Sequence, residues 1–282
     1  TTAGAQTYND NVTLGADTAI SATTTTFNGT VSGDYSLAIT GNAVFGNADA
    51  DTVTLGSTTA NKYLTVGGTT TINTTGITTS GYQTYTGAVT LGTDTVLTAT
   101  NNQIEFGNTV RSATSTAKDL TVNAGTGAIN FIGAVGSAGF ELDAISLTST
   151  GTTTIGSTVL ATSLVQNSVT GTTAINGGAI TTTAAQNYGN AVTLGVDTTL
   201  STGSTVTTGS AATIAGNGNS LTIAKVSGSG GNAVFGAAIT GVANLSIAGT
   251  TAINTTTITT SGTQTYTGAV TLGANTTLTT TN

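Results

Sequence analysis

The sequence predicts an all-β chain wound as a parallel β-helix, an elongated β-solenoid of stacked rungs. Three observations predict it. A long internal repeat runs through the 282 residues, short segments alternate apolar with small polar residues, and turn-forming residues separate those segments at short, repeated intervals. The segment Gln6 to Thr18, written Gln-x-Tyr-x-x-x-Val-Thr-Leu-Gly-x-Asp-Thr, returns as Gln83 to Thr95 and Gln186 to Thr198, and with Asn275 in the Asp place as Gln264 to Thr276. The chain therefore divides into repeat units of about 6–82, 83–185 and 186–263 and a partial unit 264–282, all within one continuous array over 1–282.

The glutamines are separated by 77, 103 and 78 residues, so the second unit carries an insertion the size of one extra coil. Its source is a duplicated element, Gly151 to Ile155 followed by Gly171 to Ile175, where the neighbouring units have one copy, Gly68 to Ile72 and Gly249 to Ile253. A finer pattern places an aromatic residue four positions before Val or Ile: Tyr8–Val12, Phe27–Val31, Tyr85–Val89, Phe106–Val110, Phe131–Val135, Tyr188–Val192, Phe235–Ile239 and Tyr266–Val270. Tyr8, Phe27 and Phe45 are 19 and 18 apart. Four such steps reach Tyr85, which reads as four rungs per 77-residue unit; rungs of roughly 26 fit the same intervals, so the expected rung is about 19–26 residues.

Each rung is built from short strands. Val12-Thr13-Leu14, Leu37-Ala38-Ile39, Val53-Thr54-Leu55, Leu64-Thr65-Val66, Leu221-Thr222-Ile223 and Leu245-Ser246-Ile247 have the period-two signature of half-buried strands, and no 3.6-residue stripe occurs. Thr40-Gly41-Asn42, Gly216 to Asn219 and Gly228 to Gly231 supply the turns. Composition agrees: about a quarter of the chain is Thr, a β-branched residue that suits a pleated surface and keeps an outer face wet without charge. There is no Pro to interrupt a ladder and no Cys to cross-link one. Some fourteen or fifteen coils at about 4.8 Å each are expected.

The charges exclude several roles. Lys62, Arg111, Lys118 and Lys225 face eleven carboxylates, a net charge of −7, which is the wrong sign for nucleic acid. No run of 18 apolar residues and no basic amphipathic helix is present, so no membrane span is expected. The chain begins mid-pattern without Met, as expected of a processed product or a piece of a longer array.

No catalytic, cofactor-binding or metal site is expected, and no cofactor. Without His or Cys there is no Ser-His-Asp triad, no thiol nucleophile and no ordinary zinc or haem site. Asp17, Asp94 and Asp197 share one repeat position with Asn275, an exchange that keeps a turn-forming side-chain bond and discards charge. Tyr8, Tyr85, Tyr188 and Tyr266 share their slot with Phe, so an inward aromatic ladder is expected and the hydroxyl reads as dispensable. Asp49 with Asp51, and Glu141 with Asp143, have the spacing that puts two carboxylates on one strand face; neither pair recurs, and solvated turns are the expectation, with adventitious calcium at Asp49 and Asp51 left open. The Gly-rich stretches lack a phosphate-loop ending, and Asn-x-Thr sequons at Asn11, Asn28 and Asn254 are expected by chance in so Thr-rich a chain. The tracts Thr69–Thr71, Thr181–Thr183 and Thr255–Thr257 raise ice binding, which would require such a row on every rung.

The ordered set of Gln-x-Tyr-x-x-x-Val-Thr-Leu-Gly-x-Asp-Thr, Phe27-Asn-Gly-Thr-Val31, Gly-Thr-Thr-x-Ile-Asn (Gly171 to Asn176, Gly249 to Asn254) and Ile-Thr-Thr-Ser-Gly (Ile77 to Gly81, Ile258 to Gly262) resembles the repeats of large filamentous-haemagglutinin-like bacterial surface proteins, over essentially the whole chain. The resemblance implies a right-handed parallel β-helix, export to the cell surface, and a role as an adhesive or matrix-forming fibre. The expected function is therefore a non-enzymatic extracellular fibre segment in cell adhesion, cell-cell association or biofilm scaffolding. A subunit of a self-assembling surface layer, sheath or filament is the alternative, and an ice-binding solenoid a further one. The expected partners are other copies, joined end to end or laterally, and a cell-surface or polysaccharide ligand.

Overall fold

In a computed structural model, residues 1–48, 50–57 and 61–281 are described, and every regular element among them is a β-strand. The strands are two to eight residues long and pair in parallel with strands one coil away, forming a β-solenoid of two units, Thr1–Asp143 and Ala144–Asn282. Three strands make a coil. In the first unit the first face stacks Gln6–Tyr8, Thr24–Phe27, Asn42–Phe45, Thr70–Ile72, Val89–Leu91 and Val110–Ser112. Its second face runs from Val12–Thr13 through Val31–Gly33, Thr52–Leu55, Gly76–Thr79 and Thr95–Ala99 to Lys118–Gly125. The third runs from Thr18–Ile20 through Leu37–Ile39, Leu64–Val66, Gln83–Tyr85 and Ile104–Phe106 to Ile129–Phe131.

The second unit repeats this plan. One of its faces stacks seven strands from Thr152–Ile155 to Thr277–Thr280, against six on the third face of the first unit. The chain thus makes thirteen coils among the described residues, fewer than the fourteen or fifteen expected. The shortfall has a local cause: coils are longer than the short rung assumed. Paired residues lie 18 apart at Thr25 and Ala43 but 27 apart at Ala43 and Thr70, because long loops are inserted at corners without disturbing strand register.

Alternation becomes burial directly. Leu37 and Ile39 point inward and are buried while Ala38 between them is half-buried, and the same pattern holds at Leu64–Val66 and Leu245–Ile247. The aromatic residues form inward stacks in the first unit. Tyr8, Phe27 and Phe45 lie 5.1 and 5.7 Å apart with rings within 10° of parallel, and Tyr85, Phe106 and Phe131 lie 5.5 and 4.9 Å apart. These are separate ladders on separate faces. Tyr8 belongs to the first face and Tyr85 to the third, so counting by nineteen from Tyr8 to Tyr85 crosses a corner. The recurrent spacing of aromatic and Val is that corner: Tyr85 ends one strand and Val89 begins the next.

The repeat unit and the coil are out of phase. From the strand Gln6–Tyr8 to the strand Gln83–Tyr85 is eleven strands, three coils and two further strands, so neither four nor three whole rungs fill the interval. In the second unit Gln186–Tyr188 pairs along one face and Gln264–Tyr266 along another, again eleven strands on. One sequence module therefore builds the same local structure on different faces, because each face presents a backbone ladder below, a ladder above and an apolar interior.

Candidate functional site

The repeated residues converge on one arrangement at the corner between Ile-x-Thr and Gln-x-Tyr. Gln83, fully buried, donates from Nε2 to the carbonyl of Ile77 (3.2 Å) in its own coil and to that of Thr98 (2.9 Å) in the next. Its Oε1 accepts the hydroxyl of Tyr85 at 2.9 Å. Gln186 does the same with Ile180 (3.2 Å), Ser201 (2.9 Å) and Tyr188 (3.1 Å), and Gln264 with Ile258 (3.3 Å), Thr279 (2.9 Å) and Tyr266 (3.0 Å). Within each corner a Thr hydroxyl closes the turn, Thr79 to Gly81, Thr182 to Ala184 and Thr260 to Gly262, at 2.7 to 2.8 Å. The glutamine is a clamp between two coils. Burial pushes the Tyr85 and Tyr188 phenols up from their ordinary value, so they remain hydrogen-bond donors.

This corrects the reading of the hydroxyl as dispensable. Where Phe occupies an aromatic slot no glutamine stands two residues earlier, as at Phe106 and Phe131. Buried amide and buried phenol satisfy one another, and neither can be removed alone without orphaning a polar atom.

Asp17, Asp94 and Asp197 are not turn residues of the expected kind. Their Oδ1 atoms accept the N–H of Ser36 (2.9 Å), Asp119 (3.0 Å) and Ser220 (2.8 Å), each one coil further on. Asn11, Asn42, Asn101, Asn232 and Asn244 make the same bond to Thr30, Thr69, Thr126, Thr250 and Thr263. At corners the strand ladder is interrupted, and a side-chain oxygen takes the place of the missing carbonyl. The Ser36 N–H, and after it the Lys62 ammonium at 3.1 Å, hold the Asp17 carboxyl below its usual value. Asn275, in the last coil, is exposed. Since an amide oxygen accepts as a carboxylate does, Asp94→Asn is expected to leave the unfolding midpoint unchanged, whereas Asp94→Ala should cost about 1 kcal/mol by urea denaturation.

The recurrent Gly of Val-Thr-Leu-Gly is explained by what lies under it. A Cβ at Gly92, Gly195 or Gly273 would collide with the amide oxygen of Asn73, Asn176 or Asn254, the Asn of Gly-Thr-Thr-x-Ile-Asn one coil earlier. At Gly15, in the first coil, a Cβ meets nothing within 4 Å. Gly92→Ala is expected to destabilise by about 1 kcal/mol in a thermal or urea melt, because the Asn73 side chain must turn away from its bond to the Gly46 carbonyl, and Gly15→Ala to be neutral or slightly stabilising. Equal effects would mean that the asparagine contact is irrelevant.

The carboxylate pairs do not assemble a site. Asp51 Oδ2 accepts the N–H groups of Asn47 (3.1 Å) and Ala48 (3.2 Å), closing a turn, and Asp49 lies outside the described residues. Glu141 Oε1 accepts from Gly139 (2.9 Å), also a turn, while Asp143 is exposed beside it. The Gly-rich stretches are turns as expected, with positive φ at Asn217, Gly218, Ser227, Gly228, Gly230 and Gly231. Among the described residues no group of three metal-binding side chains and no pocket is found.

Each Thr tract turns one of its three residues inward: Thr70, Thr182 and Thr255 are buried, Thr71, Thr181 and Thr257 half-buried, and Thr69, Thr183 and Thr256 exposed. On the second face of the first unit one outward polar column runs Thr13, Ser32, Thr54, Thr78, Thr98, Asn123. The column beside it is broken at Gly76 and Val96, so no two-column grid forms there. Comparison with known proteins returns no matching family model, no matching curated protein and no matching solved structure.

Proposed function

We propose that this chain is a segment of an extracellular structural and adhesive fibre, acting without catalysis in cell adhesion, cell-cell association or matrix scaffolding. One observation carries the reading: the residues that recur, Gln, Tyr, Asn, Asp and Gly, are spent on joining each coil to the next, whichever face they occupy. Selection of that kind maintains a scaffold rather than a reaction centre. A Thr-rich, sparsely charged exterior suits a multivalent surface that is wet and resists nonspecific collapse. Resemblance to filamentous-haemagglutinin-like repeats points the same way, to the bacterial cell surface.

Burial of the apolar ladders depends on a covering coil. Val270, Leu272 and Leu278 in the last coil are 42, 58 and 47% exposed, where their repeat counterparts Val89, Leu91 and Leu97 are fully buried. Association between copies, end to end or laterally, is part of the same reading.

The test is a bead assay. Beads coated with the chain are expected to adhere to one another or to cells from its source, and albumin-coated beads are not. Coated beads that remain dispersed and bind no cells would refute the adhesive reading.

A further inference from the structure

Four of the seven tyrosines belong to the Gln-x-Tyr clamp; of the other three, Tyr35, Tyr63 and Tyr82, the last two come together at a corner of the first unit. Tyr63 and Tyr82 immediately precede the paired third-face strands Leu64–Val66 and Gln83–Tyr85, while Tyr35 stands two residues before Leu37–Ile39, the strand stacked on the other side of Leu64–Val66. Tyr63 and Tyr82 stack at 4.9 Å with rings 7° from parallel. Lys62 Nζ lies 5.5 Å from the Tyr35 ring centre and 3.1 Å from Asp17 Oδ1. On the side of Tyr82 away from Tyr63, the next coil presents Gln103, whose Nε2 donates to Glu105 Oε2 at 2.7 Å, and Asn130 donates to the same oxygen at 3.3 Å.

The fold does not require the Tyr82 ring. At the position of Tyr82 the other three modules have Ala5, Ala185 and Thr263, and at the latter two the clamp forms with the same bonds. Tyr82 nevertheless keeps 36% of its surface exposed. Water-facing aromatic surface with no structural duty marks a contact for something else.

Resting on the adhesive reading above, we propose that the corner formed by Tyr63, Tyr82, Gln103 and Glu105 is a binding site for an uncharged polysaccharide. Aromatic rings offer apolar faces and edges to the C–H surface of a sugar, while the amides and the Glu105 carboxylate offer donors and acceptors for its hydroxyls. The charge decides which polysaccharide. Lys62 is already paired with Asp17, and Asp34 and Glu105 leave the corner negative, so an acidic glycan is repelled. The corner extends over successive coils, which suits a chain of sugars rather than a single one.

The experiment is native affinity electrophoresis of the full chain in gels containing a soluble β-glucan, a galactomannan, dextran or heparin. At least one neutral polymer is expected to retard the protein, and heparin is not. Tyr82→Ala should raise the polymer concentration needed at least about tenfold, equivalent to about 1.4 kcal/mol, and Gln103→Ala should weaken binding too. Tyr82→Phe should bind as the parent does, and circular dichroism melts should show all three variants folded. Retardation by none of the neutral polymers, by heparin alone, or equally for Tyr82→Ala and the parent overturns the proposal. The bead assay separates the two readings: beads that adhere equally with Tyr82→Ala leave adhesion standing and remove this site from it. Retarded protein on beads that never adhere does the reverse.

Discussion

Replacing Gln83 by Leu is expected to lower stability by about 3–5 kcal/mol, a loss reserved for sites where buried polar groups are orphaned. Two carbonyl partners, in two different coils, lose their donor, and the Tyr85 hydroxyl is left buried without an acceptor. Gln186→Leu should behave alike, because its bonds to Ile180, Ser201 and Tyr188 reproduce the same corner. Gln6→Leu is the internal control. Gln6 is half-exposed and its side chain bonds Thr2 and Tyr8 among the described residues, so water replaces what is lost and the expected cost is under about 1 kcal/mol. Urea denaturation gives the magnitudes, and hydrogen exchange should show the coils flanking Gln83 opening first, since coupling in a solenoid is between neighbours. Adding Tyr85→Phe to Gln83→Leu should cost less than the sum of the two single changes, because the second removes a group the first has orphaned. Equal losses at Gln83 and Gln6 would mean the clamp contributes nothing.

Leu91→Asp should be more severe still, melting the coils around it. Leu91 is fully buried between Ile72 and Ser112 on its ladder, and an isolated carboxylate there is neutralised or expelled at a cost of several kcal/mol. Val89→Asp, two residues away on the same inner face, is expected to do likewise. Leu272→Asp makes the comparison sharp. It occupies the same place in the same motif but is 58% exposed, and it should leave far-ultraviolet circular dichroism and protease resistance nearly unchanged. If Leu272→Asp proves as damaging as Leu91→Asp, position within the motif rather than coverage by a neighbouring coil determines stability.

Much of the architecture is legible in the sequence. Period-two alternation at Leu37–Ile39 and Leu64–Val66 specifies a strand with one buried side wherever it occurs, and Gly228 to Gly231 specifies a turn, because both signals are local. The repeat of Gln-x-Tyr marked those positions but gave the glutamine no role and read the tyrosine hydroxyl as dispensable, because the bonds that join them to other coils are not local. Gln83 reaches Thr98, fifteen residues on, and Asp94 reaches Asp119, twenty-five residues on, and neither distance is a property of the motif.

Strand content, turn positions, the solenoid class and the absence of His and Cys chemistry were determined by the sequence by itself, through residue type and short-range periodicity. Tertiary structure alone decided that three strands close each coil, that eleven strands separate Gln6 from Gln83, and that Tyr63 and Tyr82, outside the Gln-x-Tyr pairs, stack on one another. The physical reason is that corner loops lengthen some coils to 27 residues and leave others at 18. Which residues become neighbours then depends on how each coil closes upon the last, and backbone pairing between coils settles that.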